Sequence, residues 1–355
     1  EVKDAFANAN DLEKDPYYYE IWDGKTLKEP SYDATTKTYT VKNGAELAWI
    51  AAAANGTLSR SNDVKTFNGE TIVLANGIDL GGNPWTPISM STDLANGKTF
   101  RGTFDGQGHT ITGLYVKENA VAGLFGYVYA ATIKNVTIEG ANLNSNHFAG
   151  GIVAWVNNYK GNIQKPFVIE NCHIVNSTIV STPELVNGEW DNGDKVGGLI
   201  GAAWFDQGAG LNEGTKVANC SVLGTTIKAY RDFGGLVGYA QGVNIENCTA
   251  DVTLEQDLTH DYKAPNTPTT FGRLIGKDAG LNTVDGNDYI ADGVTKNADT
   301  YYIYNAAGLK WVANVVNATT PYTATLFDNA TVELMNDIDL NPGWTVESGK
   351  SPRYQ

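Results

Sequence analysis

Gly235-Leu236-Val237-Gly238, followed by Ile245-Glu246-Asn247-Cys248, is the stretch on which the fold turns, because the chain writes it four times. Its other copies open with Gly123-Leu124-Phe125-Gly126, Gly151-Ile152-Val153-Ala154 and Gly198-Leu199-Ile200-Gly201. They close with Ile133-Lys134-Asn135-Val136, Ile169-Glu170-Asn171-Cys172 and Val217-Ala218-Asn219-Cys220. From the Leu or Ile of each glycine-flanked burst to the Asn there are 11, 19, 20 and 11 residues in chain order. A fixed pair of signals around a variable spacer marks a repeated unit that accepts insertions at one corner. Such units stack, and stacked units put their function on an outer face and not in a central pocket.

The apolar-x-Asn-apolar step carries the geometry. Side chains alternate along a strand, so residues i and i+2 share a face. Here the apolar positions are i and i+3, as in Ile245 and Cys248, so an extra residue has been inserted at a corner. Asn accepts the left-handed backbone such a corner needs. Coils stacked about 4.8 Å apart would bring Asn135, Asn171, Asn219 and Asn247 into one hydrogen-bonded ladder. The cysteines align with Val136 and are expected as small buried hydrophobes. With strands expected after each corner, the predicted fold class is all-β: a right-handed parallel β-helix, or solenoid.

The chain around the repeats divides into three. Residues 1–38 are polar and turn-rich, with Tyr17, Tyr18, Tyr19 and Trp22, and are expected as a strap on the first coil. Residues 39–298 form the repeat body, opened by a capping α-helix near 44–54. Asn43 is its N-cap, Glu46 completes a capping box, and Asn55-Gly56 stops it. Residues 299–355 begin a second copy: Tyr39, Asn43, Leu47, Trp49 and Asn55 recur at an offset of 262 as Tyr301, Asn305, Leu309, Trp311 and Asn317. Ile72, Leu74 and Asn76 recur as Val332, Leu334 and Asn336. Whether this partial copy ends the solenoid or starts another unit stays open at the level of sequence.

Composition narrows the function. Of 355 residues 39 are Gly, 18% are charged and 10% aromatic, a strand-and-turn balance. A net charge of −15 argues against a nucleic-acid partner. Three cysteines without CxxC spacing argue against a zinc site or a disulfide framework, and no metal or cofactor is expected. No apolar run of roughly 18 residues suggests a membrane span. A chain that starts at Glu1 is expected to be a mature segment of a secreted or surface-displayed monomer, with any attachment through a removed N-terminal anchor.

The bursts resemble the GLUG motif of bacterial surface β-helices. Asn43 to Ala51, Asn76-Gly77-Ile78-Asp79-Leu80, Trp85-Thr86-Pro87-Ile88 and Phe104 to Ile111 are similar to GLUG-containing adhesins of Bacteroides-type bacteria. The likeness covers roughly residues 39–280 and implies adhesion at the cell surface. GLUG repeats also accompany metallopeptidase domains that need a His-Glu-x-x-His helix. His109, His147, His173 and His260 lack that spacing, so the activity does not carry over.

Two kinds of site can be weighed. Phe104-Asp105-Gly106-Gln107-Gly108-His109 and Asp191-Asn192-Gly193-Asp194 are the acidic candidates. The first suits a tight turn, and the second lacks a distal Glu for calcium, so no catalytic residue is expected. Aligned bursts place Tyr127, Trp155 and Tyr239 in one column with Trp204 nearby. Stacked rings suit an extracellular glycan or a surface protein. The sequence favours the plainer alternative, that these rings pack beneath their own corner loops at 156–167 and 202–215. The expected function is therefore non-catalytic adhesion or glycan or protein binding, ahead of a polysaccharide lyase or hydrolase and of a structural spacer.

Overall fold

The computed structural model describes residues 20–58, 64–90, 99–158, 166–186, 189–191, 193–205, 214–259, 270–318, 327–338 and 340. These residues are all-β in class, with parallel-rich sheets and two helices. The chain forms two compact units, residues 1–286 and 287–355. The division falls before the 298/299 boundary expected from sequence. Strand Val294–Asn297 pairs antiparallel with both Asn287–Ala291 and Thr300–Ile303 and so joins the second unit.

In the first unit, residues 20–38 lie on the body, while Tyr17, Tyr18 and Tyr19 fall outside the described residues. Trp22 N–H donates to Asp79 O at 2.9 Å, and its buried ring meets Trp85 edge-on at 5.8 Å. Strand Ser31–Asp33 pairs antiparallel with Thr38–Val41. Helix α1, Gly44–Asn55, follows: Asn43 Oδ1 accepts from Glu46 N–H at 3.1 Å, and Gly56 closes it with a left-handed φ of 65°. Glu46 reaches back to the N–H of Lys42, one residue earlier than a reciprocal capping box requires.

One parallel ladder runs through Thr38–Val41, Thr71–Leu74, Thr103–Asp105, Thr132–Glu139, Phe167–Val175, Thr215–Ala218, Val243–Glu246 and Thr283–Val284. Its register puts Tyr39, Ile72, Phe104, Ile133, Ile169, Val217, Ile245 and Val284 in one row. All but Val284 are buried. Each fully covered side chain of this kind contributes about 1.5–3 kcal/mol. A second parallel sheet holds the bursts: Phe125–Val128, Val153–Asn158, Ile200–Phe205, Val237–Ala240 and Ile275–Asp278. Its last strand reveals a fifth burst, Gly272-Arg273-Leu274-Ile275-Gly276, which the four-copy pattern left out. A third ladder links Tyr115–Ala122, Asn142–Gly150, Asp194–Gly197, Arg231–Gly234 and Phe271–Gly272.

The burst glycines exist because the second and third sets touch backbone to backbone. A Cβ on Gly201 would fall 2.5 Å from Ala154 O and 2.8 Å from Lys195 O, and one on Gly238 would fall 2.5 Å from Gly201 O. Across the contact, a Cβ on Gly197 would lie 2.7 Å from Gly238 N. No side chain fits there, so the motif is the signature of this close approach.

At the corners Asn135, Asn171, Asn219 and Asn247 all have φ between 51° and 55°. Asn171 Nδ2 donates to Asn135 Oδ1 at 3.0 Å, and Asn247 Nδ2 to Asn219 Oδ1 at 3.4 Å, giving two rungs. The column lengthens at both ends: Asn135 Nδ2 donates to Asp105 Oδ1 at 3.0 Å, and Asn247 N–H to Asp285 Oδ1 at 2.8 Å. Inside the same corner the cysteines stack. Cys172 N–H points to Cys220 Sγ at 3.4 Å and Cys220 N–H to Cys248 Sγ at 3.3 Å.

Candidate functional site

The burst sheet sets Tyr127, Trp155, Ala202 and Tyr239 in register, with Lys277 at the end of the row. Trp204, two residues past Ala202, pairs with Asn157. Ala202 interrupts the aromatic row and leaves two ring pairs. Tyr127 and Trp155 lie 5.5 Å apart and tilted, while Trp204 and Tyr239 lie 5.4 Å apart and stacked at 26°. Both separations fall in the favourable range for aromatic contacts.

The two pairs differ in exposure. Tyr127 is buried and Trp155 half-buried against Phe148, 4.7 Å away, in a cluster with Val121, Ala154 and Ala202. Burial pushes the Tyr127 phenol up from its ordinary range. Trp155 Nε1 is buried with no hydrogen-bond partner among the described residues. Tyr239 is half-buried, its phenol pushed up by burial and by the Asp232 carboxylate. Trp204 keeps 37% of its surface exposed. The outer pair thus presents a face to solvent while the inner pair packs. Tyr159 of the first insertion lies outside the described residues.

Beside these rings sits a charged group the sequence reading did not assemble. Asp194, 1% exposed, accepts from Lys195 Nζ at 2.5 Å, from Arg231 Nη2 at 3.2 Å and faces His147 Nδ1 at 3.1 Å. Burial would raise its carboxyl, but the His147 contact and the Lys195 charge overcome that and hold it at about 2. Lys195 Nζ also lies over the Phe148 ring at 5.4 Å. A signal was available: His147, Asp194 and Arg231 each stand four residues ahead of a burst glycine, Gly151, Gly198 and Gly235. Aligning the bursts backwards stacks them. Asp194 is thereby engaged by cations of its own chain.

Asp105 is engaged likewise. Burial would raise its carboxyl, but hydrogen bonds from Asn135 and Gln107 N–H, with Lys134 Nζ at 3.3 Å, hold it below its ordinary value. Gln107 and Gly108 take φ of 53° and 80°, a tight turn. His173 bonds Ser221 Oγ at 2.8 Å and is lowered by burial. Among the described residues no three His, Cys, Asp or Glu side chains converge as a metal site. A cleft of about 100 Å³ near Trp22, Asp23, Thr26 and Asn43 is well below the few hundred Å³ of small-molecule pockets. No helix among these residues is long and apolar enough to cross a membrane.

Comparison with known proteins adds three likenesses. The family model described as the GLUG motif matches residues 230–255, which hold the fourth burst and its Asn corner. The chain is 28% identical over 218 residues to Halomucin of Haloquadratum walsbyi, an alignment spanning 50% of this chain and 2% of Halomucin. A solved structure from Bacteroides ovatus, provisionally named an immunoglobulin A1 protease, aligns over 77% of this chain and 84% of its own, with TM-score 0.47 and 18% identity.

Proposed function

We propose that this chain is a non-catalytic adhesion module, secreted or displayed on a bacterial surface, which binds glycan through the outer edge of its burst sheet. Its body winds as a right-handed parallel β-helix, each repeat copy contributing one coil. In-register parallel ladders and the right-handedness of crossovers between parallel strands support that winding. The GLUG match and the similarity to Halomucin, together with a low-charge, Gly-rich composition, support the location. Engagement of Asp105 and Asp194 by their own neighbours supports a role without catalysis.

The observation that carries the reading is the stacked Trp204–Tyr239 pair with Trp204 open to solvent. A flat apolar face with polar tips matches the face of a sugar ring, which offers C–H groups to the π-system and hydroxyls to its surroundings. A glycan array probed with wild type and with the Trp204→Ala, Tyr239→Ala double variant tests it. The expected result is a restricted set of bound glycans, lost in the double variant, with unchanged circular dichroism. An array without a bound glycan, or binding untouched by the two substitutions, removes the proposal.

A further inference from the structure

The asparagine column of the first unit continues into a histidine and a serine, and its hydrogen bonds fix where each proton sits. The Asp105 carboxylate, held below its ordinary value, can only accept, so the 3.0 Å contact turns the Asn135 amide nitrogen toward it. That leaves Asn135 Oδ1 to accept from Asn171 Nδ2 at 3.0 Å. Asn171 Oδ1 then faces His173 Nε2 at 3.3 Å. An amide oxygen accepts and never donates, so Nε2 carries the imidazole proton. Nδ1 of the neutral ring is consequently an acceptor. Its partner at 2.8 Å is Ser221 Oγ, whose hydroxyl must donate to it.

The parallel ladder holds this line in place. Strand Phe167–Val175 sets His173 opposite Thr137 on one side and, on the other, opposite Ser221, the first residue of strand Ser221–Ala229. His173 stands between buried Cys172 and Ile174, and Ser221 between buried Cys220 and Val222, so alternation turns both side chains outward. Ser221 and His173 are half-buried and Asn171 is exposed. Burial lowers the imidazole below its ordinary value, which keeps the ring a free base near neutral pH. A hydroxyl bonded to a neutral imidazole that a third group orients is the arrangement of an activated nucleophile. These residues share nothing with the aromatic edge.

We propose that Ser221 is a nucleophilic acyl acceptor, with His173 as its general base, and that it takes one acyl group from an activated ester. Ser221 Oγ attacks the carbonyl carbon while His173 Nδ1 takes the hydroxyl proton. Collapse of the tetrahedral adduct breaks the bond to the leaving oxygen, which departs as an alcohol carrying that proton. Ser221 keeps the acyl group as an ester. The surrounding backbone limits the chemistry. Thr249 N–H, beside Ser221 on the neighbouring strand, donates to Cys220 O at 3.0 Å and is committed to the ladder. Solvent must then stabilise the oxyanion, so only esters with a good leaving group react, and water removes the acyl group slowly. One acylation per chain accords with a module that does not turn over substrate.

Incubation of the full chain with p-nitrophenyl acetate tests this, read by intact mass and peptide mapping. One acetyl group on Ser221 is expected. In His173→Gln, which keeps a neutral polar side chain at that position, acetylation of Ser221 should slow about a hundredfold. Circular dichroism checks that the variant keeps its fold. Absence of acetyl from Ser221, with or without labelled lysines, overturns the proposal. So does an unchanged rate at Ser221 in His173→Gln.

Discussion

Asp194 opens the strand Asp194–Gly197 and is sealed from solvent by its own repeat neighbours. Residues from three successive copies, His147, Asp194 and Arg231, meet because each stands at the same offset from its burst, and Lys195 adds a fourth group. Desolvation opposes the charged carboxylate, and the surrounding donors outweigh it, so the group sits at about 2 instead of 3.8. A carboxyl lowered in the folded state stabilises above its unfolded value and loses that contribution as pH falls. The contribution, on the order of 2 kcal/mol, is whole above about pH 4 and is lost as pH falls through about 2. Asp194→Asn is therefore expected to cost about 2–3 kcal/mol near neutral pH, since it leaves Lys195 and Arg231 without their anion. Urea midpoints of wild type and variant should converge as pH drops from about 4 to about 2. Parallel pH curves would contradict this account.

Helices α1 and α2, the latter Ala306–Val316, show how one sequence template is held by different local means. Both begin at an Asn whose side chain accepts from the N–H three residues on, Glu46 at 3.1 Å and Gly308 at 3.0 Å. Glu46 adds a bond to Lys42 N–H at 2.8 Å and an ion pair with Lys28 at 3.1 Å. Gly308 can do neither. A Cβ there would press on Gly293 O and lie 3.2 Å from Ile303 Cγ2, so the loss of Glu follows from the hairpin packed against this helix start. Asn43→Ala should cost about 1 kcal/mol of first-unit stability. Gly308→Glu restores the capping-box pattern on paper, yet should destabilise the second unit. Far-UV circular dichroism during urea titration reads both, and a stabilised Gly308→Glu variant would refute the packing explanation.

At the scale of the molecule, two compact units with unequal cores should not unfold together. The first holds the buried apolar rows, while Val316, Val332 and Leu334 of the second are exposed. Unfolding in urea is expected in two steps, the second unit first, because less apolar surface is removed from water there. The cysteines report on the order, since all three lie in the first unit. Hydrogen bonding to Cys172 together with burial pushes the Cys220 thiol up to about 12, and Cys220 and burial push Cys248 higher still. Thiolate is the reacting form, so a disulfide reagent should find these groups silent through the first step and reactive after the second. One coincident transition, or early thiol reaction, would count against two independent units.

The sequence by itself determined the all-β class, the parallel repeat and the position of the first helix. Each rests on a local backbone demand that few residues meet: Gly201 and Gly238 where backbones touch, Asn at corners of positive φ, Asn43 at a helix start. A demand of that kind is written where it acts. Tertiary structure alone decided that Tyr127 is covered while Trp204 is open, and that Asp194 meets Arg231. Those outcomes depend on residues tens of positions apart, and side-chain identity specifies what a residue can contact, not which neighbour the fold delivers to it.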